Sequence, residues 1–143
     1  MPAADRLAEH AARRARLVAA LQAEGAGGAP LGLARSTSNL FRDRSEQPKR
    51  RLDLREFRHV LDVDVAHGWV EVEGSTSYED LVAATLPHGV MPAVVPQLKT
   101  ITVGGAAAGV GIEATSFRHG LVHDTLLEFD VLLPDGAIAH CAP

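Results

Sequence analysis

The sequence has little of several features that mark particular classes of protein. Its single cysteine, Cys141, cannot form a disulfide within the chain, which favours a reducing compartment. No apolar run approaches the roughly 18 residues of a membrane-spanning helix, and the N-terminus lacks the apolar core of a signal peptide. We therefore expect a soluble, cytoplasmic protein.

Two further absences concern partners. Lys and Arg number 14 against 18 Asp and Glu, so the formal charge is -4 and no basic field attracts nucleic acid or anionic membrane. Cys141 has no neighbouring cysteines or histidines at zinc-binding spacing, so no metal site is expected. What remains is a chain of 143 residues, 46% hydrophobic, long enough for one domain with a core or for part of one.

The N-terminal stretch predicts an amphipathic helix. Apolar residues recur at helical spacing from Leu7 to Val18, and Gly25 is a stop signal. Residues 1–29 are accordingly assigned to a helix and a linker. We expect three arginines to form a solvated face: Arg13, Arg14 and Arg16.

From Leu31 onward the pattern is that of short strands. The strand "LGLA" precedes a polar loop rich in Ser, Thr and Asn. Leu61, Val63 and Val65 then share one face of a strand that turns at His67-Gly68 and returns. The simplest interpretation is a β-hairpin.

A short helix is predicted after this hairpin. Thr76 stands three residues before Glu79, a capping-box spacing, and the apolar stripe that follows ends at Pro87 and Gly89. A helix here, few others, and short strands elsewhere indicate an α+β fold rather than a doubly wound sheet.

The C-terminal stretch "TLLEFDVLLPDGAIAH" predicts a buried strand, a Pro-Asp-Gly turn and a returning strand. Nothing that resembles a closing element follows this second hairpin. We expect residues 30–143 to be a domain that is incomplete at its C-terminus, the front of a larger protein.

The glycine-rich segment from Val103 to Gly109 has the small side chains and bare backbone that a phosphate-binding loop requires, while tight packing of small residues is an equal alternative. The Walker pattern is absent. Gly109 to Ala114 does match G-x-G-x-x-A, with Glu128 or Asp130 about 20 residues on. The surroundings oppose a Rossmann motif, because no strand ends at Gly109 and no helical periodicity follows.

Four motifs in order, "STSNLFR", "YEDLVAATLPHG", "VVPQLKTITVGG" and "GVGIEATSFRHG", resemble the PCMH-type FAD-binding domain of the vanillyl-alcohol oxidase/p-cresol methylhydroxylase superfamily. The resemblance extends from Leu31 to Ala142. The four motifs together, above all the "GIE" of the last one, are most similar to the delta-24 sterol reductase-like branch. It implies a PCMH-type α+β fold and a flavin-dependent oxidoreductase.

The resemblance also implies which residues bind FAD. Two loops are expected to hold the pyrophosphate, and the second continues along the flavin. The first contributes Ser36, Thr37, Ser38 and Asn39, and the second contributes Thr102, Val103, Gly104, Gly105, Gly109, Gly111 and Ile112. Ser116 is expected to add a hydroxyl contact, with a local turn bond as the alternative.

Many relatives tether the flavin through a histidine in the first loop or a cysteine in the second. Leu40 and Phe41 follow "STSN" here, and no cysteine lies near Gly104, so FAD is expected to bind non-covalently. The implied reaction is reduction of a carbon–carbon double bond in a small, sterol-like substrate with NADPH. The alternatives are an alcohol oxidase that uses oxygen and a flavin-binding fragment without turnover.

Catalytic residues are expected in a cap domain beyond this chain, so none is named. The same missing regions could associate the protein with a membrane.

Overall fold

The computed structural model describes residues 1–23, 30–34 and 50–143. The helices are α1 (Ala3–Ala23), α2 (Tyr78–Thr85), α3 (Val103–Ala108) and α4 (Ser116–His119), with 3-10 turns at Leu86–His88 and Val122–Thr125. The strands are β1 (Leu31–Ala34), β2 (Arg50–Asp53), β3 (Val60–Asp64), β4 (Trp69–Val72), β5 (Phe129–Leu132) and β6 (Ile138–Cys141). This mixture of short strands and helices confirms the predicted α+β class.

The strands pair two by two in the described ranges. β1 runs parallel to β2, while β3 with β4 and β5 with β6 form antiparallel hairpins. Both predicted hairpins are confirmed, and their turns contain Gly68 and Gly136 in the left-handed region, at φ 74° and φ 88°.

Burial does not follow the predicted face of β3 throughout. The register shifts between Val60 and Asp62, and the intervening Leu61 is only 1% exposed. Val65, predicted to share that face, lies beyond the end of the strand and is 46% exposed. The bulge and the early turn therefore confine burial to the start of the hairpin.

The prediction of a buried strand near the C-terminus is wrong for this chain. Phe129 and Val131 on β5 and Ile138 on β6 are all substantially exposed. A continuous apolar run indicates burial only where a second layer covers it, and within the part of the chain that the structure describes the hairpin stands at the surface.

The main core lies between α2, α3 and the β3–β4 hairpin. Its buried members come from the two helices, the loop between them and the second 3-10 turn: Tyr78, Leu81, Val94, Val103, Ala106 and Val122. Half-buried valines of the hairpin pack against them, including Val60, Val70 and Val72. The glycine-rich segment is thus anchored by one side of α3.

The helix α1 packs against β2 and β3, and its arginines reach carboxylates elsewhere in the fold. Contrary to the expectation of a solvated face, Arg13 is 9% exposed and its guanidinium lies 2.8 Å from a carboxylate oxygen of Glu73. Arg14 reaches Asp130 at 2.9 Å, a partner far away in sequence that helical periodicity cannot reveal. No helix among residues 1–23 and 50–143 is long and apolar enough to cross a membrane.

The helix α2 begins one residue later than its capping-box spacing predicts. Ser77, not Thr76, is the N-cap, and its hydroxyl accepts the N–H of Asp80 at 3.1 Å. Thr76 is fully buried and donates its hydroxyl to the carbonyl of His59 at 3.0 Å. The hydroxyl of Thr76 is therefore used in a tertiary hydrogen bond to His59 and not as the cap that local spacing predicts.

Ser77→Ala should lower the free energy of unfolding by about 1 kcal/mol, because the Asp80 N–H would lose its side-chain acceptor. Urea denaturation at neutral pH would measure the change. Ser75→Ala, two residues earlier, is the matched control and should change stability by less than half as much. Equal losses in the two variants would show that the Ser77 cap contributes nothing specific.

Candidate functional site

The glycine-rich segment forms the helix α3, and Thr102 is its N-cap. The Thr102 hydroxyl accepts the N–H of Gly105 at 3.2 Å, and Thr102 also forms a β-bridge with Ser77. Two further first-turn N–H groups donate to the turn after β4. Val103 N–H donates to the carbonyl of Thr76 and Gly104 N–H to that of Gly74, each at 2.9 Å.

These bonds correct one part of the sequence interpretation. A phosphate cradle needs free backbone N–H groups, yet those of Val103, Gly104 and Gly105 all have acceptors inside the chain. The beginning of α3 therefore offers a ligand its shape and its small side chains rather than unpaired donors.

Two of the glycines are explained by close packing. A Cβ on Gly104 would lie 2.8 Å from the carbonyl oxygen of Gly74, and one on Gly111 would lie 2.9 Å from the Cγ2 of Val122. The alternative of tight packing is thus confirmed at these two positions. It does not exclude a ligand on the other side of α3.

That other side is bare and accessible. Val103 and Ala106 are buried in the core, while Ala108 and Gly109 are exposed and Gly104 keeps solvent access beside its contact with Gly74. Val110 then ends the helix at φ 53°, in the left-handed region, and leads to Ile112, which is 69% exposed. An extended planar molecule could lie on this surface without meeting a long side chain, because only hydrogen or methyl groups project from the helix here.

An open cleft of about 460 Å³ begins at Ile112, three residues after Gly109. One wall is the loop from Met91 to Gln97, and the other is the segment from Ile112 to Thr115. The Thr115 hydroxyl donates to the carbonyl of Ala93 at 2.8 Å and joins the two walls. The segment that follows α3 therefore leads into a partly apolar cleft of the kind that binds small molecules.

The predicted second loop is contiguous in the structure, from the cap at Thr102 through Gly104, Gly105 and Gly109 to Ile112 at the cleft. Ser116 lies at the beginning of α4, where its hydroxyl accepts the N–H of Glu113 at 3.0 Å, the local bond considered as its alternative role. The predicted first loop, Ser36 to Asn39, lies outside the described residues.

Sequence reasoning missed a buried carboxylate in the turn whose carbonyls bond to α3. Glu73 is 2% exposed, and it accepts hydrogen bonds from three side chains. Its oxygens lie 2.8 Å from Nδ1 of His10, 2.8 Å from the Arg13 guanidinium and 2.7 Å from Nδ1 of His59. Strand alternation places Glu73 on the same polar face as Glu71, so its burial left no signal in the pattern.

The environment of Glu73 favours its ionised form. Burial alone would raise the pKa of this carboxyl, but the hydrogen bonds from His10, Arg13 and His59 outweigh burial and lower the pKa to about 2. Its ordinary value is 4.5. The folded protein thus keeps a charged, buried carboxylate in the turn that also contains Gly74.

This depressed pKa makes stability depend on pH. Glu73 should contribute its full stabilisation above pH 4.5, and the contribution should disappear as the pH falls towards 2. Urea denaturation of the wild type and of Glu73→Gln across this window should show a difference at neutral pH that shrinks in acid. A difference independent of pH would contradict the assignment.

A comparison with protein families indicates which ligand this surface binds. The FAD binding domain family matches residues 2–142, and the chain belongs to that family. Its cofactor is FAD. The exposed small-residue face of α3 and the adjoining cleft fit a flat dinucleotide, because nothing larger than a methyl group stands on the helix at Ala108 and its neighbours Gly104 and Gly109.

Two kinds of relative are similar to the chain. The Delta(24)-sterol reductase of Pisum sativum is 37% identical over 87 residues, which cover 61% of this chain and 15% of that protein. The same enzyme of Homo sapiens is 32% identical over 84 residues, 59% of this chain and 16% of the relative. Cytokinin dehydrogenase 10 of Oryza sativa subsp. japonica is 34% identical over 85 residues, 59% and 16% respectively. The matched segment thus covers only 15–16% of these relatives.

Proposed function

We propose that this chain binds the FAD of an oxidoreductase that reduces a carbon–carbon double bond in a sterol-like substrate with electrons from NADPH. The observation that carries the proposal is the exposed, side-chain-poor face of α3 beside the cleft at Ile112, in a chain similar to Delta(24)-sterol reductases. When bound, FAD supplies the hydride transfer.

The chain's own residues bind and orient the cofactor. Thr102, Val103, Gly104 and Gly105 form a rigid surface for the pyrophosphate, since their backbone is fixed to the turn after β4. Because the first-turn N–H groups are already engaged, polar donors must come from elsewhere. We assign that role to Ser36, Thr37, Ser38 and Asn39, whose hydroxyl and amide groups suit phosphate oxygens.

The flavin side of the surface is apolar. Gly109 and Gly111 continue the bare backbone, and the exposed side chain of Ile112 stands at the cleft. Burying Ile112 against the ring system would remove apolar surface from water and exclude solvent from the reacting atoms. Ser116 contributes less, since its hydroxyl already accepts the Glu113 N–H.

Non-covalent attachment is part of the proposal, because Leu40 and Phe41 occupy the place of the tethering histidine and Cys141 is distant in sequence from Gly104. Acid precipitation of the FAD-loaded protein should leave the flavin in the supernatant. Flavin absorbance that remains in the washed pellet would refute this part of the proposal.

A second candidate is substrate oxidation, with oxygen as the electron acceptor. The similarity to a protein named a cytokinin dehydrogenase favours the oxidation step, since a dehydrogenase removes hydrogen from its substrate. Oxygen as the acceptor is our own proposal. A cofactor-binding fragment without turnover is the third candidate. The cytoplasmic location also stays a prediction.

Reduction of the bound flavin separates these candidates. Under anaerobic conditions, NADPH should bleach the visible bands of an FAD-loaded longer protein that carries this chain together with the expected cap domain, and a sterol with a carbon–carbon double bond should restore them. Bleaching by an alcohol but not by NADPH would favour the oxidase. Bound FAD that neither donor reduces would contradict both and favour the binding fragment.

A further inference from the structure

We infer that Glu73 is a positioning residue for the FAD surface, and that α1 belongs structurally to the unit that binds the cofactor. Glu73 is the first residue of the turn after β4. Its side chain bonds to α1, and the carbonyls of the same turn bond to the beginning of α3. The inference rests on the FAD assignment above.

Glu73 receives hydrogen bonds from two separate parts of the fold. Its Oε1 accepts the Nε and Nη2 groups of Arg13 at 3.0 and 2.8 Å and lies 2.8 Å from Nδ1 of His10, both on α1. Its Oε2 accepts the backbone N–H of His59 at 2.9 Å and lies 2.7 Å from that residue's Nδ1. The side chain of Glu73 is completely buried, so these partners replace its water.

The backbone of the same turn holds α3. The carbonyl of Gly74 accepts the N–H of Gly104, and the carbonyl of Thr76 accepts the N–H of Val103. The turn is also held to His59, because the N–H of Glu73 donates to the His59 carbonyl at 3.0 Å. Both acceptors for the first N–H groups of α3 therefore lie within three residues of the buried carboxylate.

The contact at Gly104 leaves little freedom for the turn to move independently. The two backbone segments approach so closely that a Cβ added at Gly104 would lie 2.8 Å from the carbonyl oxygen of Gly74. A displacement of Gly74 must therefore move the beginning of α3 or break the Gly104 hydrogen bond. Because a cofactor surface has to be held to a fraction of an ångström, such a displacement should weaken FAD binding.

Replacing the carboxylate by an amide should cause such a displacement. Glutamine keeps the shape of Glu73, but it has one acceptor oxygen for two sets of donors, and its NH2 group would face N–H donors. Either the hydrogen bonds from His10 and Arg13 or those from His59 must then break. A role in stability alone would lower the unfolding free energy without changing the FAD dissociation constant of the folded protein.

The test measures FAD affinity on folded protein. The dissociation constant is obtained from quenching of FAD fluorescence, at a temperature where circular dichroism shows the variant without FAD to be folded. Glu73→Gln should bind FAD about tenfold more weakly than the wild type, a usual magnitude of coupling between separate sites. Its visible circular dichroism at saturating FAD should also differ from that of the wild type.

The matched control is Glu79→Gln, which removes an exposed pair with Lys99 on α2 and should leave FAD affinity unchanged. Should Glu73→Gln fail to fold, His59→Leu replaces it, because the His59 side chain is 48% exposed and its loss removes one bond to Glu73. We expect weaker FAD binding for that variant too.

Wild-type affinity in the folded Glu73→Gln or His59→Leu variant would overturn the inference while leaving the FAD assignment intact. Absence of FAD binding by the folded wild type would instead refute the FAD assignment itself. The two failures are therefore distinguishable.

Discussion

Replacing Arg13 with methionine is expected to lower the free energy of unfolding by about 3 kcal/mol, the usual cost of removing one partner from a buried ion pair. Arg13 is 9% exposed and donates two hydrogen bonds to Glu73. Methionine fills similar space but leaves the buried carboxylate with only its two histidine partners. Urea denaturation at neutral pH measures the loss.

Arg14→Met on the same helix is the matched control. Arg14 also forms an ion pair, with Asp130, but both side chains are 42% exposed, and exposed pairs contribute at most about 1 kcal/mol. The Arg13 variant should therefore lose several times more stability than the Arg14 variant. Similar small losses in both would show that the Glu73 network does not hold α1.

Replacing Gly104 with alanine is expected to affect both stability and FAD binding. The Cβ of the alanine would lie 2.8 Å from the carbonyl oxygen of Gly74. A backbone oxygen cannot rotate away as a side chain could, so the two backbone segments must separate. Overpacking of this kind costs about 1–3 kcal/mol. Because Gly104 lies on the proposed FAD surface, the dissociation constant of FAD should rise as well.

Gly74→Ala supplies the control at the other side of the same contact, since a Cβ on Gly74 would have no atom within 4 Å among the described residues. Stability and FAD affinity are compared for the two variants together with Ser116→Ala. We expect the Gly104 variant to lose the most in both measurements. A larger loss of affinity in Ser116→Ala would mean that the cofactor surface is misplaced.

Local patterns predicted the local elements well. The hairpin from Val60 to Val72 and the one around Pro134-Asp135-Gly136 were confirmed, because strand alternation and glycine turns depend on adjacent residues. The small helix after the first hairpin was also confirmed. The predicted N-cap of this helix is wrong by one residue. Thr76 donates its hydroxyl to the carbonyl of His59 instead, a partner that is distant in sequence.

Tertiary contacts account for the rest. The sequence pattern treats Arg13 and Glu73 as surface residues, and only packing of α1 on the sheet brings them together. The glycine-rich segment was located from its bare backbone, but close approach of Gly74, rather than free N–H groups, explains Gly104. The proposed boundary at residue 29 stays a prediction, although the family match begins at residue 2.

The most direct measurement of the central claim is the visible spectrum of the purified protein after incubation with FAD and removal of free cofactor by gel filtration. Circular dichroism on the same sample establishes that the protein is folded. We predict the absorption bands of oxidised flavin in the protein peak, in near-equimolar amount. Folded protein that elutes without flavin would contradict the account.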